Sequence, residues 1–255
     1  MAELVHLDVA GGVGTITLDS PTNRNALSAA LRRDLAAHLA TAIDDDAVRV
    51  IVLTHTGDVF CAGADLKEAR GADADTQGVG ELPDLLVSLM SAPKPVVAKV
   101  TGTARAGGIG LVAACDLAVA ADDVTFAFPE VRLGLVPAVI SVPLRRRVHP
   151  QALRRLFLTG EVFDAAAAVR IGLLDASVAR DGLGEELARY TDALLRGAPR
   201  ALAATKAVLA DPPDEDAREL EVLGRLSAAH FASAEGQEGL AAFAQKRPPS
   251  WAPSN

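Results

Sequence analysis

The sequence predicts an α/β fold in which short strands pair in parallel across helical crossovers and a helical region closes the chain. Three observations predict it. Apolar runs of strand length at Val48–Leu53, Val96–Val100 and Leu117–Ala121 alternate with stretches of helical spacing. Half of the 255 residues are apolar but only 4% are aromatic, so the core is packed with Ala, Val and Leu. From about residue 137 onward the spacing becomes helical. This length suits one core-bearing domain with an appendage, or two small domains.

In order along the chain, Leu4–Val9 and Val13–Leu18 alternate around Gly11-Gly12, a hairpin signal. Asn25 stands as an N-cap before Leu27, Leu31, Leu35, Leu39 and Ile43, whose four-residue spacing predicts an amphipathic helix. Asp44-Asp45-Asp46 oppose the dipole at its end and read as a solvated turn. Val48–Leu53 is a buried strand, and the turn Thr56-Gly-Asp58 leads into Phe60-Cys-Ala-Gly-Ala-Asp-Leu-Lys67. Residues 69–82, rich in Gly, Asp and Ala, read as a mobile loop. A helix at Leu85–Met90 is stopped by Pro93-Lys-Pro95. The strand Val96–Val100, a helix opened by Gly107-Gly108 and the strand Leu117–Ala121 follow. Leu153–Leu158, Asp164–Arg170, Leu183–Arg196 and Pro199–Leu209 carry helical spacing. After the break Asp211-Pro-Pro-Asp, so do Ala217–Phe231 and Glu235–Ala244. A boundary near residue 195 divides a mixed region, 1–195, from a helical one, 196–255.

The net charge of -8 opposes a nucleic-acid role, which needs a basic excess, but leaves room for a small anion held by a few local cations. Cys61 and Cys115 lack C-x-x-C spacing and read as free thiols of a reducing, cytoplasmic compartment. The first residues carry no signal-peptide pattern, and no run of membrane-spanning length is apolar enough to cross a bilayer. The five histidines are scattered without metal-ligand spacing, so no metal is expected.

Gly107 and Gly108 open a buried helix, where uncovered N–H groups and the positive end of the dipole can stabilise an oxygen acquiring negative charge. Phe60–Lys67 is a second small-residue segment after a strand, and two such segments can aim two N–H donors at one oxygen. Read alone, it is equally a tight turn with Asp65 near a helix start. Gly108-Ile-Gly-Leu-Val-Ala113 also matches a dinucleotide fingerprint with Glu130 downstream, but five residues separate it from the preceding strand. Ser91-Ala-Pro-Lys94 matches S-x-x-K, although its prolines break the helix that motif requires. Glu130, in Phe126-Ala-Phe-Pro-Glu-Val-Arg132, is a carboxylate in an apolar setting. It is either a general acid or base with a raised pKa or a structural ion pair with Arg132 or Arg105. Arg145–Arg147 and Arg154-Arg155 read as solvated helix faces.

Together, Asn23-Arg-Asn-Ala-Leu27, Phe60–Glu68, Pro95–Ala120, Phe128–Gly134, Leu158-Thr-Gly160, Ala166–Leu174 and Glu238–Arg247 resemble the crotonase family, the enoyl-CoA hydratase/isomerase superfamily. The resemblance spans nearly the whole chain. It implies a crotonase-type spiral of ββα units with a helical C-terminal trimerisation region, 1–195 forming the core and 196–255 the oligomerisation region. It further implies a homotrimer or dimer of trimers, and an acyl-CoA thioester substrate with no separate cofactor.

By the same resemblance, Ala64 and Gly107 supply the oxyanion-hole amides. The CoA moiety lies along Ala62, Asp65, Leu66 and Lys67, with Arg24, Lys67 and Lys246 answering its phosphates. Phe243 and Lys246 match positions that close the site of a neighbouring subunit. Glu130 matches the second of two glutamates that handle water in family hydratases, while the first falls at position 110, here Gly. Residues 133–143 depart from the usual glycine-rich stretch, and with Gly110 they look like a subgroup that includes methylglutaconyl-CoA-type hydratases. The expected reaction is hydration of a 2-enoyl-CoA, with Glu130 either doing both jobs or assisted by an acid elsewhere, for which Glu81 and Asp84 are candidates. Isomerisation by a single glutamate and non-catalytic acyl-CoA binding are the alternatives.

Overall fold

The computed structural model describes residues 3–68, 80–210 and 213–252. Most of the loop expected over 69–82 lies outside the described residues.

Strands β1 (Val5–Ala10) and β2 (Val13–Leu18) form the expected antiparallel hairpin. Gly11 and Gly12 take φ of +58° and +85°, the backbone that such a two-residue connection demands. Helix α1 (Ala29–Asp44) buries Leu31, Leu35, Leu39 and Ala42. Its cap is Ser28, whose hydroxyl accepts from the Leu31 N–H, and not Asn25. Asn25 is fully buried at φ +50° and spends its amide on Ser20 N–H and the carbonyls of Thr56 and Val59. Leu27 precedes the helix and pairs with Ala64 as a parallel bridge.

The chain then repeats one unit. Strands β3 (Val50–His55) and β4 (Val59–Cys61) precede α2 (Leu82–Ser91); β5 (Val96–Val100) and β6 (Thr103–Arg105) precede α3 (Gly107–Ala114). Strands β7 (Leu117–Ala121) and β8 (Thr125–Ala127) follow. In each unit the first strand joins a six-stranded sheet and the second a four-stranded sheet. Including β9 (Val162–Asp164) and β10 (Ala176–Val178), the orders are β1-β2-β3-β5-β7-β10 and β4-β6-β8-β9. All pairings are parallel except the first hairpin and β8 with β9. Stacking like strands on like strands is what winds the units into a spiral. The three-residue strands are too short to show a period in sequence.

Seven helices complete the described chain: α4 (Ser141–Arg147), α5 (Pro150–Thr159), α6 (Ala165–Arg170), α7 (Leu183–Leu195), α8 (Pro199–Leu209), α9 (Pro213–Ala232) and α10 (Ala234–Ala244). Every residue of α3 is buried, so it is the central helix of the core. Arg146 and Arg147 do not form a solvated face: Arg146 forks onto buried Asp216 of α9, and Arg147 pairs with Asp175 and donates to the Cys115 carbonyl. The α9–α10 arm folds back onto its own chain. Gly239 makes this approach feasible, since a Cβ there would lie 2.1 Å from the Leu133 carbonyl oxygen.

Candidate active site

The N-terminus of α3 is set by strain and by missing side chains. Ala106 holds φ 48° and ψ −121°, a backbone region costly for any residue with a Cβ. Its carbonyl accepts from both Ile109 N–H (2.9 Å) and Gly110 N–H (3.2 Å), while the Gly107 N–H meets no acceptor among the described residues. A Cβ on Gly107 would sit 2.7 Å from Leu27 Cδ1, and one on Gly108 2.7 Å from Cys61 Cβ and carbonyl oxygen. These glycines therefore let the helix end press against the segment after β4.

That segment supplies the second amide. Gly63, at φ +88°, lies so close that a Cβ on it would be 2.8 Å from Ala106 Cβ and 3.5 Å from Gly107 N. Its carbonyl accepts from Leu27 N–H at 2.8 Å. This bridge leaves the Ala64 N–H without an acceptor among the described residues. Ala64 and Gly107 both line one apolar cavity of about 80 Å³, partly open to solvent, whose walls include Leu82, Val136, Ile140 and Phe231.

Glu130 lines the same cavity, from a 3-10 turn (Glu130–Leu133) that follows β8. It is not an ion pair. Arg105 donates to the carbonyls of Ala104 and Thr125, and Arg132 Nε to the Thr159 carbonyl at 3.0 Å. Glu130 Oε2 is shut off from solvent and has no hydrogen-bond partner. Burial among apolar groups disfavours the ionised form and pushes its carboxyl up to about 7. A carboxyl so placed gains and loses a proton near neutrality, as a general acid–base group must.

Position 110 offers no second carboxylate, and its space is taken. A Cβ on Gly110 would meet Ile140 Cγ2 at 2.6 Å and Ile140 Cβ at 3.1 Å. Neither Glu81 nor Asp84 lines the cavity: Glu81 is exposed and pairs with buried Arg32 at 3.5 Å, and Asp84 is exposed on α2. The polar side chain that sequence reasoning missed is Ser227 of α9, which is buried and lines the cavity. Cys61 and Cys115 are free and buried, their thiols pushed up to about 12 by desolvation, so neither is a nucleophile.

A groove continues outward from the cavity. Ala62, Ala64 and Leu66 border both, and Arg24, Asp65, Lys67 and Phe243 line the groove. The backbone of Arg24, at φ 52°, is held there by the Ala62 N–H at 3.1 Å. Asp65 is a turn staple, its carboxylate accepting from Asn23 Nδ2 (2.8 Å) and Lys67 N–H (2.9 Å). Phe243 closes the groove of its own chain, because the arm folds back. Lys246 does not join it: it is exposed beyond α10, at φ 53°.

Among the described residues no three His, Cys, Asp or Glu side chains are grouped to hold a metal ion, and no helix is long and apolar enough to cross a membrane. The family model for enoyl-CoA hydratase/isomerase matches residues 8–254. The chain is 34% identical over 253 residues to the rat enoyl-CoA hydratase domain-containing protein 3, mitochondrial, covering 94% of this chain and 81% of that protein. It is 32% identical over 263 residues to the carnitinyl-CoA dehydratase of Proteus mirabilis, covering 98% and 99% of the two chains. The crystal structure of an enoyl-CoA hydratase from Mycobacterium avium superposes with a TM-score of 0.87 at 40% identity, covering 99% of this chain and 100% of that one. With its spiral of parallel strand units, its paired free amides and this match along nearly its whole length, the chain belongs to the enoyl-CoA hydratase/isomerase family.

Proposed function

We propose that the protein adds water reversibly to a 2-enoyl-CoA thioester. The observation that carries this reading is the Glu130 carboxylate, its Oε2 without a partner, in the same apolar cavity as the unpaired N–H groups of Ala64 and Gly107. The thioester oxygen accepts from both amides. Glu130 takes a proton from water as its oxygen bonds to the β-carbon, and the electron pair of the double bond moves toward the thioester oxygen as an enolate. The enolate collapses as Glu130 returns the proton to the α-carbon, so one water is added and Glu130 is restored. One oxyanion-hole donor of this kind contributes about 3–4 kcal/mol to the transition state. The CoA moiety runs along the groove of Ala62, Leu66 and Lys67, with Arg24 and Lys67 near its phosphates. Self-association through 196–255 belongs to the same proposal.

A second reading has its own observation. Ile140 fills the space at position 110, leaving one carboxylate among the described residues that line the cavity, and shifting a double bond between carbons needs only one base. Short 2-enoyl-CoA and 3-enoyl-CoA offered separately in water distinguish the two. Hydration predicts a 3-hydroxyacyl product from the first, abolished in Glu130→Gln. Consumption of the 3-enoyl thioester alone, without a hydroxyacyl product, sinks the hydratase reading in favour of isomerisation. Binding of both thioesters, with turnover no better in the protein than in Glu130→Gln, leaves only acyl-CoA binding.

A further inference from the structure

A water molecule inside an apolar cavity needs two or more polar partners to be held there. Among the described residues lining this cavity only two carry a polar side chain, Glu130 and Ser227. Position 110 cannot contribute a third, since Ile140 occupies its space. The amides of Ala64 and Gly107 are committed to the thioester oxygen.

Ser227 has the features of a group kept for a ligand. It is only 4% exposed, yet its hydroxyl makes no hydrogen bond among the described residues, not even to the carbonyl one turn back that helical serines commonly use. Its neighbours on the same face of α9 are apolar and packed. Leu220 is fully buried, Leu223 lies against the main core, and Phe231 packs with Leu135 and Leu240. The serine interrupts this stripe at the place where the helix roofs the cavity. With no protein partner among the described residues and an oxygen not wholly shut off from contact, this hydroxyl is free to bond a water in the cavity it lines.

We propose that Ser227 is a positioning residue: with Glu130 it holds the water that adds to the β-carbon. The proposal rests on the hydration reading and deepens it. Glu130 alone moves the protons, and the Ser227 hydroxyl fixes where the water's oxygen stands. A misplaced nucleophile can cost about 100-fold in rate without weakening substrate binding.

The test compares the full-length protein with Ser227→Ala and Ser227→Thr in two assays. One is hydration of a short 2-enoyl-CoA. The other is exchange of the α-proton of a saturated acyl-CoA in D2O, in which Glu130 removes and returns a hydrogen but no water is added. Ser227→Ala should lose about 10- to 100-fold in kcat for hydration with KM within twofold, and keep its exchange rate. Ser227→Thr, which retains a hydroxyl, should recover most of the loss. Unchanged hydration in Ser227→Ala overturns the proposal. So does a higher KM at constant kcat, which would make Ser227 an acyl-chain contact. Parallel loss of hydration and exchange also overturns it, placing the serine in support of Glu130 or of the fold. A wild-type protein that exchanges but never hydrates removes the hydration reading, and this inference with it.

Discussion

Glu130 is costly to keep ionised, and that cost has a definite pH dependence. In the unfolded chain its carboxyl titrates at the ordinary 4.5, and in the folded protein at about 7. Below the lower value both states are protonated and the group contributes nothing. Between the two, the unfolded chain releases its proton while the folded protein keeps it, so stability falls as pH rises; above 7 the loss is complete and constant. The full difference is on the order of 3 kcal/mol. Glu130→Gln should therefore be more stable than the natural protein at pH 8 by roughly this amount, with the gain fading toward pH 4.5 in urea titrations. Activity should move the other way, falling in the natural protein as pH drops through 7. The apolar setting of this carboxylate was legible in Phe126-Ala-Phe-Pro129. Its freedom from Arg105 and Arg132 was not, because those guanidinium groups find carbonyls that only the tertiary fold brings near.

At the scale of elements, α3 shows why a small residue carries as much information as a charged one. Gly110→Ala adds about 1 kcal/mol of helix propensity, but its methyl would stand 2.6 Å from a branch of Ile140. Ile140 is buried and branched at Cβ, so it yields poorly, and such overpacking costs about 1–3 kcal/mol. The net effect should be destabilising, and Ile140→Ala should relieve it. A double-mutant cycle in urea checks this: additive changes would show that the two positions do not share one space. Gly110 was visible in sequence as an absent glutamate, whereas Ile140 as the occupant of its place was not, lying thirty positions away on another element. The limits of periodicity follow the same line. The five- and six-residue strands of the large sheet were readable, while three-residue β4, β6, β8, β9 and β10 were not. Asn25 was read as a cap because its residue type suits one, but its amide knits two turns together while Ser28 does the capping.

For the molecule as a whole, the decisive feature is that its last helices close over its own site. The groove residues Arg24 and Lys67 come from early turns, and Phe243 from the end of the chain, so the groove exists only when α10 is docked. Sequence spacing placed α10 correctly but could not say onto which surface it folds; the backbone contacts of Gly239 decide that. The same docking braces the turn that carries Glu130, because Gly134 also approaches the arm, where a Cβ would lie 2.5 Å from the Glu235 carbonyl oxygen. Gly239→Ala places a methyl 2.1 Å from the Leu133 carbonyl, too near for side-chain adjustment alone, so α10 must lift. If the closed arm holds the thioester, a loss of about 1–3 kcal/mol should raise KM roughly tenfold or more. A smaller fall in kcat should accompany it as the Glu130 turn loosens. Trp251, the chain's single tryptophan, lies just beyond the Arg247–Glu238 pair that ties down the end of the arm, and its fluorescence reports whether the arm has moved. A shifted Trp251 signal with unchanged KM would show that the arm covers the site without contributing to it.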